Sequence, residues 1–221
     1  MVPALQAVAA AFAAQHHQHR LPVRDDIAAA DAYAAGVHDP TSPKVAASYA
    51  RLTAALDAQL DALFAAGFTA EPWTGEGQPY ATSAAMLADA SAGQLFFYLT
   101  ETDSQMPSDH PMLQPSKHSG LIANDVFRIV HDLLGHAAGG HGFGPEGEYR
   151  AWAGHRATLP RQAHPALWAE TRGQNCWTNA GAHMRSGCGT RLLTQADPGW
   201  VPLRDRPFPV QKALAPEAAL V

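Results

Sequence analysis

Apolar residues recur at helical spacing from Pro43 to Ala66, at Val45, Tyr49, Leu52, Leu56, Leu60, Leu63 and Phe64, which predicts a long amphipathic helix. Ser42 suits its N-cap, Pro43 its first turn and Gly67 the left-handed residue beyond its end. Gln94 to Thr100 is a short run rich in aromatics and reads as a buried strand. From Asp103 to Gly120 the residues Pro107, Pro111, Pro115, Ser104, Ser108 and Asp109 require a loop. Beyond it, Asn124 suits the cap of a helix carrying Val126, Phe127, Val130, Leu133 and Leu134. A glycine-rich turn, Gly139 to Gly144, leads into a second helix from about Glu146 to Ala157. A third begins after Pro165 and carries Leu167, Trp168, Glu170, Asn175 and Trp177.

The expected fold is therefore mainly α: a compact helical domain with a minor β element and a long irregular C-terminal tail, which holds four prolines between Pro198 and Pro209. At 221 residues one core suffices, and a single domain over residues 1–221 is the default. Residues 1–100, rich in alanine, read as scaffold helices and one strand. Residues 121–187 gather the glycine, tryptophan and close histidines of a metal-site region. Val2 to Ala14 lacks the basic start of a signal peptide and reads as a helix docked on the core.

Charge and cysteine content narrow the function. Fifteen basic against twenty acidic residues give a net −5, so no broad attraction for nucleic acid or an anionic membrane surface is expected. No stretch has the roughly 20 uninterrupted apolar residues of a membrane helix. Cys176 and Cys188 form no CxxC pair, which points to a reducing, cytoplasmic compartment. The cluster His16-His17-Gln18-His19-Arg20 reads as a solvated loop, with a surface metal tract as the alternative.

The chemistry concentrates in His131-Asp132-Leu133-Leu134-Gly135-His136, followed by His141, Glu148, His155 and Glu170. Two imidazoles and a carboxylate suit ferrous iron, zinc or manganese and leave coordination positions open. Residues five apart on an ordinary helix lie about 140° apart, so His131 and His136 share a face only if the turn at Gly135 is relaxed. The zinc-protease pattern HExxH, with its four-residue spacing and glutamate, does not fit. No phosphate loop closes the glycine run, and no nucleophile elbow is present.

The segment HDLLGH resembles the HELLGH-type iron motif of the aromatic amino acid hydroxylases. That resemblance implies His131, His136 and Glu170 as ligands of Fe(II), O2 and a small aromatic or amino-acid-like molecule as substrates, and tetrahydropterin as reductant. Residues 124–179, with FRIVHDLLGHA, GFGPEGEYRAWAGH and ETRGQNCWTN, also resemble an uncharacterised module of large phage and mobile-element proteins. Its pattern matches His131, His136, Glu148, His155, Glu170, Arg172, Gln174, Asn175 and Trp177, which implies that these polar positions belong to one site.

The bland readings stand beside these. Glu148 and His155, seven apart on one helical face, compete as catalytic acid–base groups, as partners orienting the ligands, as ligands of a second metal, or as an ordinary salt link. Glu148 is also the rival of Glu170 for the carboxylate position. Asp132 is most simply a helix-surface acid. Gln174 and Trp177 share a side with Glu170 and are expected to line a substrate pocket, core packing being the other account of Trp177. Arg172 is expected to clamp a substrate carboxylate or to form an internal ion pair. The leading expectation is a mononuclear non-haem iron oxygenase. A zinc-dependent hydrolase using the same ligands and a noncatalytic metal-stabilised binding module are the alternatives.

Overall fold

A computed structural model describes residues 1–17, 20–100 and 105–217. Among the described residues seven helices carry the fold: α1 (Val2–Ala13), α2 (Asp26–Ala35), α3 (Pro43–Ala65), α4 (Ser83–Ala92), α5 (123–137), α6 (Pro145–Ala157) and α7 (164–180). Two of them change winding along their length. In α5 the α-helical Ala123–Val130 continues as a π-helix over His131–Ala137. In α7 the segment His164–Trp168 passes through a π-helix at Ala169–Gly173 before resuming as Gln174–Ala180.

The long helix α3 runs through the centre, packed against α1, α5 and α7. Its stripe is the one its periodicity predicts: Leu52, Leu56, Leu60 and Leu63 are all fully buried. One apolar cluster extends from Leu5 on α1, through this stripe, to Ala213 and Leu214 in the tail. The helix ends at Gly67, whose φ of +90° is the expected left-handed conformation. Its start differs from expectation. The Ser42 side chain makes no capping bond; instead Asp39 Oδ1 accepts from the Ser42 backbone N–H at 3.1 Å.

The β element is smaller than its sequence suggests. Strand β1 (Thr69–Pro72) pairs in parallel with β2 (Gln94–Phe97), and α4 forms the connection. On β2, Leu95 and Phe97 are buried while Gln94 and Phe96 are half-buried, so the strand covers the core with one face only. The tail after Gly187 is irregular apart from a short 3₁₀ turn at Leu203–Asp205. It is anchored at its far end, where the Tyr33 hydroxyl donates to Val210 O at 3.0 Å and Lys212 Nζ donates to the carbonyls of Tyr33, Ala34 and Gly36. Among the described residues, no helix is long and apolar enough to cross a membrane. Part of the histidine cluster (Gln18, His19) and part of the expected loop (Asp103, Ser104) lie outside the described residues.

Because Leu56 is fully buried against several elements, Leu56→Ala should destabilise the protein by about 2–5 kcal/mol in urea unfolding, the cost of losing apolar contacts and leaving a cavity. A change below about 1 kcal/mol would contradict a central position for α3.

Candidate metal centre

The π-helical winding of His131–Ala137 replaces i→i+4 by i→i+5 bonding, as in Ala138 N–H to Leu133 O at 2.9 Å and His141 N–H to His136 O at 2.9 Å. Residues five apart are thereby brought toward one face. The rings of His131 and His136 stand edge to face with centroids 5.0 Å apart. Gly135 permits this winding. A Cβ there would meet His131 Nδ1 at 3.0 Å and Ala151 O at 3.1 Å, so any side chain would press on both the ring and α6.

Helix α6 braces both imidazoles from one side. The glycine-rich turn folds tightly against the first turn of α6 because Gly147 lacks a Cβ; one built there would lie 1.9 Å from Gly142 O. From its first turn Glu148 Oε2 comes to 3.6 Å from His136 Nε2. Two turns later His155 Nδ1 lies 3.2 Å from His131 Nδ1. Donor atoms of His131, His136 and Glu148 all fall within 4.8 Å of one another. Two donors each about 2.1 Å from one ion lie at most about 4.2 Å apart, so the His136–Glu148 pair already has a suitable spacing and small side-chain movements close the set.

The hydrogen bonds behind the rings decide which nitrogens are available. Gln59, on the buried face of α3, donates through Nε2 to Thr158 O at 3.0 Å and to Thr158 Oγ1 at 2.9 Å. A backbone carbonyl only accepts, so Gln59 Oε1 faces the other way, toward His155 Nε2 at 3.2 Å. His155 therefore carries its proton on Nε2 and offers a bare Nδ1. It stays neutral, since burial, then the charge of His136, holds it down to about 3. His131 must then donate from Nδ1, leaving its Nε2 lone pair free. His136 Nδ1 lies 3.1 Å from His141 O and donates to it, so its Nε2 is the nitrogen that faces Glu148. Burial first, then the proximity of the His136 and His155 imidazoles, keeps His131 well below the ordinary histidine range. Both imidazoles are thus set as metal ligands usually are, with the second nitrogen engaged in orienting the ring.

This centre opens on a cleft of about 420 Å³ whose lining includes Phe127, Phe143, Glu148, Glu170, Gln174 and Asn175. Phe127 stacks on the His131 ring at 5.4 Å and Phe143 meets the His136 ring edge-on at 5.3 Å. The volume falls in the range of small-molecule sites.

Compared with known proteins, the chain matches no family model, no curated protein and no solved structure. The functional reading therefore rests on the residues and their geometry.

The carboxylate that the structure brings to the two imidazoles is Glu148, where the hydroxylase-like motif implies Glu170. Glu170 sits in the π-helical part of α7 and is turned aside by its own partners. Its Oε1 accepts from the Tyr49 hydroxyl, and its Oε2 accepts from Gln174 Nε2 at 3.4 Å. Glu170 still lines the cleft, and burial pushes its carboxyl up to about 7. His155, an expected acid–base group, lies fully buried behind His131, where it orients that ring.

The expected substrate contacts divide. Gln174 lines the cleft. Arg172 does not: it forms the internal ion pair, with Asp26 at 2.6 Å, and covers the rings of Tyr149 and Trp152. Trp177 packs against the core and the His183 ring at 4.8 Å. His141 contributes its carbonyl to His136. Asp132 faces another cavity, beside Arg128 and Tyr98.

Sequence reasoning missed Gln59, Tyr49 and His110. Gln59 left a trace, being a polar residue at a stripe position between Leu56 and Leu63. His110, in the proline-rich loop, is fully buried; its Nδ1 accepts from Met112 N–H at 3.2 Å, and its Nε2–H lies 3.5 Å from Glu170 Oε1 with no hydrogen-bond partner among the described residues.

Two predictions follow from these networks. Gln59→Leu conserves volume but releases His155, and should weaken affinity for a divalent metal by about 10- to 100-fold in calorimetric titration; unchanged affinity would remove the relay from the account. The second concerns pH. Burial, then the charge of His38, holds His110 down to about 4. An unfolded histidine takes up its proton near 6.5, so His110 costs stability as pH falls from 6.5 toward 4. Glu170 binds its proton from about 7 downward, whereas an unfolded glutamate does so near 4.5, so Glu170 adds stability as pH falls from 7 to 4.5. Between pH 7 and 5, His110→Gln should gain about 2 kcal/mol relative to wild type and Glu170→Gln should lose a similar amount. Urea midpoints at the two pH values test this, and pH-independent differences would refute it.

Proposed function

We propose that this chain is a mononuclear metal-dependent enzyme, a non-haem iron oxygenase in which His131, His136 and Glu148 hold Fe(II) and a small molecule reacts in the adjoining cleft. The observation that carries this reading is the convergence of two imidazoles and one carboxylate, with both Nδ1 positions engaged behind them. Two histidines and one acid leave open positions, at which ferrous iron supplies dioxygen activation, with tetrahydropterin the reductant that the motif resemblance implies.

The chain's own groups have distinct tasks in this reading. Gln59 and His155 hold the His131 ring, and His141 O holds the His136 ring, so little reorganisation accompanies ion binding. Phe127 and Phe143 exclude water from the imidazoles and give the cleft apolar walls. Glu170, a carboxyl poised near neutrality, can give a proton to or take one from a bound molecule, while Tyr49 and Gln174 fix its direction. Affinity for the metal falls on acidification, because the proton held between His136 and Glu148 competes with the ion.

The same position of Glu170 favours a second reading, a zinc-dependent hydrolase. A carboxylate of near-neutral affinity beside a metal-activated water suits a general base.

Anaerobic titration with Fe(II) and Zn(II), followed by oxygen-uptake and ester- or amide-hydrolysis assays over a library of small substrates, separates the two. Glu148→Ala should lower metal affinity at least about 10-fold, while Glu170→Gln should retain it and lose turnover. Oxygen uptake with iron alone supports the oxygenase; hydrolysis with zinc alone supports the second reading. Retention of metal by Glu148→Ala together with its loss in Glu170→Gln would overturn the ligand set.

A further inference from the structure

The cleft is chemically lopsided. One part of its lining holds the His131 imidazole, Glu148 and Glu170. Its rim is formed by the tail, where Arg206 and Phe208 face α7. Arg206 is half-buried and held in place: its Nε donates to Val201 O at 3.0 Å, and its Nη1 donates to Asn179 Oδ1. Both acceptors are neutral. Among the described residues no carboxylate pairs with Arg206, since Asp205 is bound to Arg204 and the two cleft acids are committed to His136 and to Tyr49 and Gln174. A partly desolvated guanidinium without a counter-charge is costly unless an anion arrives to meet it.

Two further donors lie on the same stretch of α7. Asn179 Nδ2 donates to Asn175 O at 2.9 Å and to Asn175 Oδ1 at 3.2 Å. This fixes the Asn175 carboxamide with its oxygen engaged and its NH₂ group without an acceptor among the described residues. Thr178 lines the cleft, is 8% exposed, and its hydroxyl has no hydrogen-bond partner among the described residues. A buried hydroxyl left unpaired costs about 1–3 kcal/mol. Fixed donors around an uncompensated cation are the makings of an oxyanion site.

We propose that Arg206, Asn175 and Thr178 form an oxyanion subsite, so that the molecule processed in this cleft carries a carboxylate or phosphate at the end directed toward the tail. The assignment rests on reading the cleft as the active site. The subsite itself is built from residues apart from the metal ligands and exists whether or not an ion is bound.

The test is therefore made on the metal-free full chain. Benzoate, phenyl phosphate and the uncharged benzyl alcohol are titrated by calorimetry and ligand-observed NMR. At least one anion should bind about 10-fold or more tightly than benzyl alcohol, and the stronger of the two identifies the oxyanion. Arg206→Gln should weaken that anion about 10-fold and leave benzyl alcohol unchanged. Asn175→Asp, which puts an oxygen where the NH₂ stood, should repel the anion, and Thr178→Val should weaken it severalfold. Equal affinity for anion and alcohol, or anion binding indifferent to Asn175→Asp and Thr178→Val in protein with a wild-type melting temperature, would overturn the subsite even if Arg206→Gln does not fold. Anion binding that persists in a chain unable to hold iron or zinc would sink the metal reading alone.

Discussion

The centre of this molecule depends on a widened stretch of helix between His131 and His136. In an ordinary α-helix the two rings would diverge; the i→i+5 winding turns them onto a common face. π-Helical turns are rare because their bonding is less favourable than that of an α-helix, and they concentrate at functional sites. Here the cost is offset locally. Gly135 leaves space for the His131 ring, α6 closes over it, and the polar atoms behind both rings find partners. The arrangement places functional geometry on helices set in the core.

The same device recurs in α7. There the π-helical segment Ala169–Gly173 carries Glu170 and Arg172, and it sends them to different places: one to the cleft, the other to Asp26 beneath α6. Gly173 is hemmed in by the rings of Tyr33 and Trp168. Two helices with altered winding thus face each other across one cavity, with α3 supplying Gln59 to one side and Tyr49 to the other.

Much of this was legible from residue order. The stripe of α3, the left-handed Gly67, the starts of α6 and α7 and the irregular tail follow from periodicity and from glycine and proline chemistry. The seven-residue spacing of Glu148 and His155 implies one helical face and leaves their role open; in the structure they reach His136 and His131 respectively. The carboxylate was harder. Glu148 and Glu170 differ by what surrounds them, and nothing in the local sequence announces that Tyr49, more than a hundred residues earlier, reaches Glu170. Helices α2 and α4 were also hidden, since alanine-rich segments carry little hydrophobic contrast. Arg172 illustrates the general difficulty. An arginine near an acid suits a ligand clamp and a buried ion pair equally, and only the approach of Asp26 from α2 decides between them.

The anchoring of the tail bears on how the cleft keeps its shape. Arg185 is tied to Asp31 and to the carbonyls of Ile27 and Ala180, and Lys212 caps the carbonyl end of α2. The wall containing Arg206 and Phe208 is accordingly a span closed at both ends on the same helix. Its freedom grows only with the logarithm of its length, as for any closed loop. Changes in the length of this span are therefore compatible with a constant cavity floor and leave the histidines beneath undisturbed.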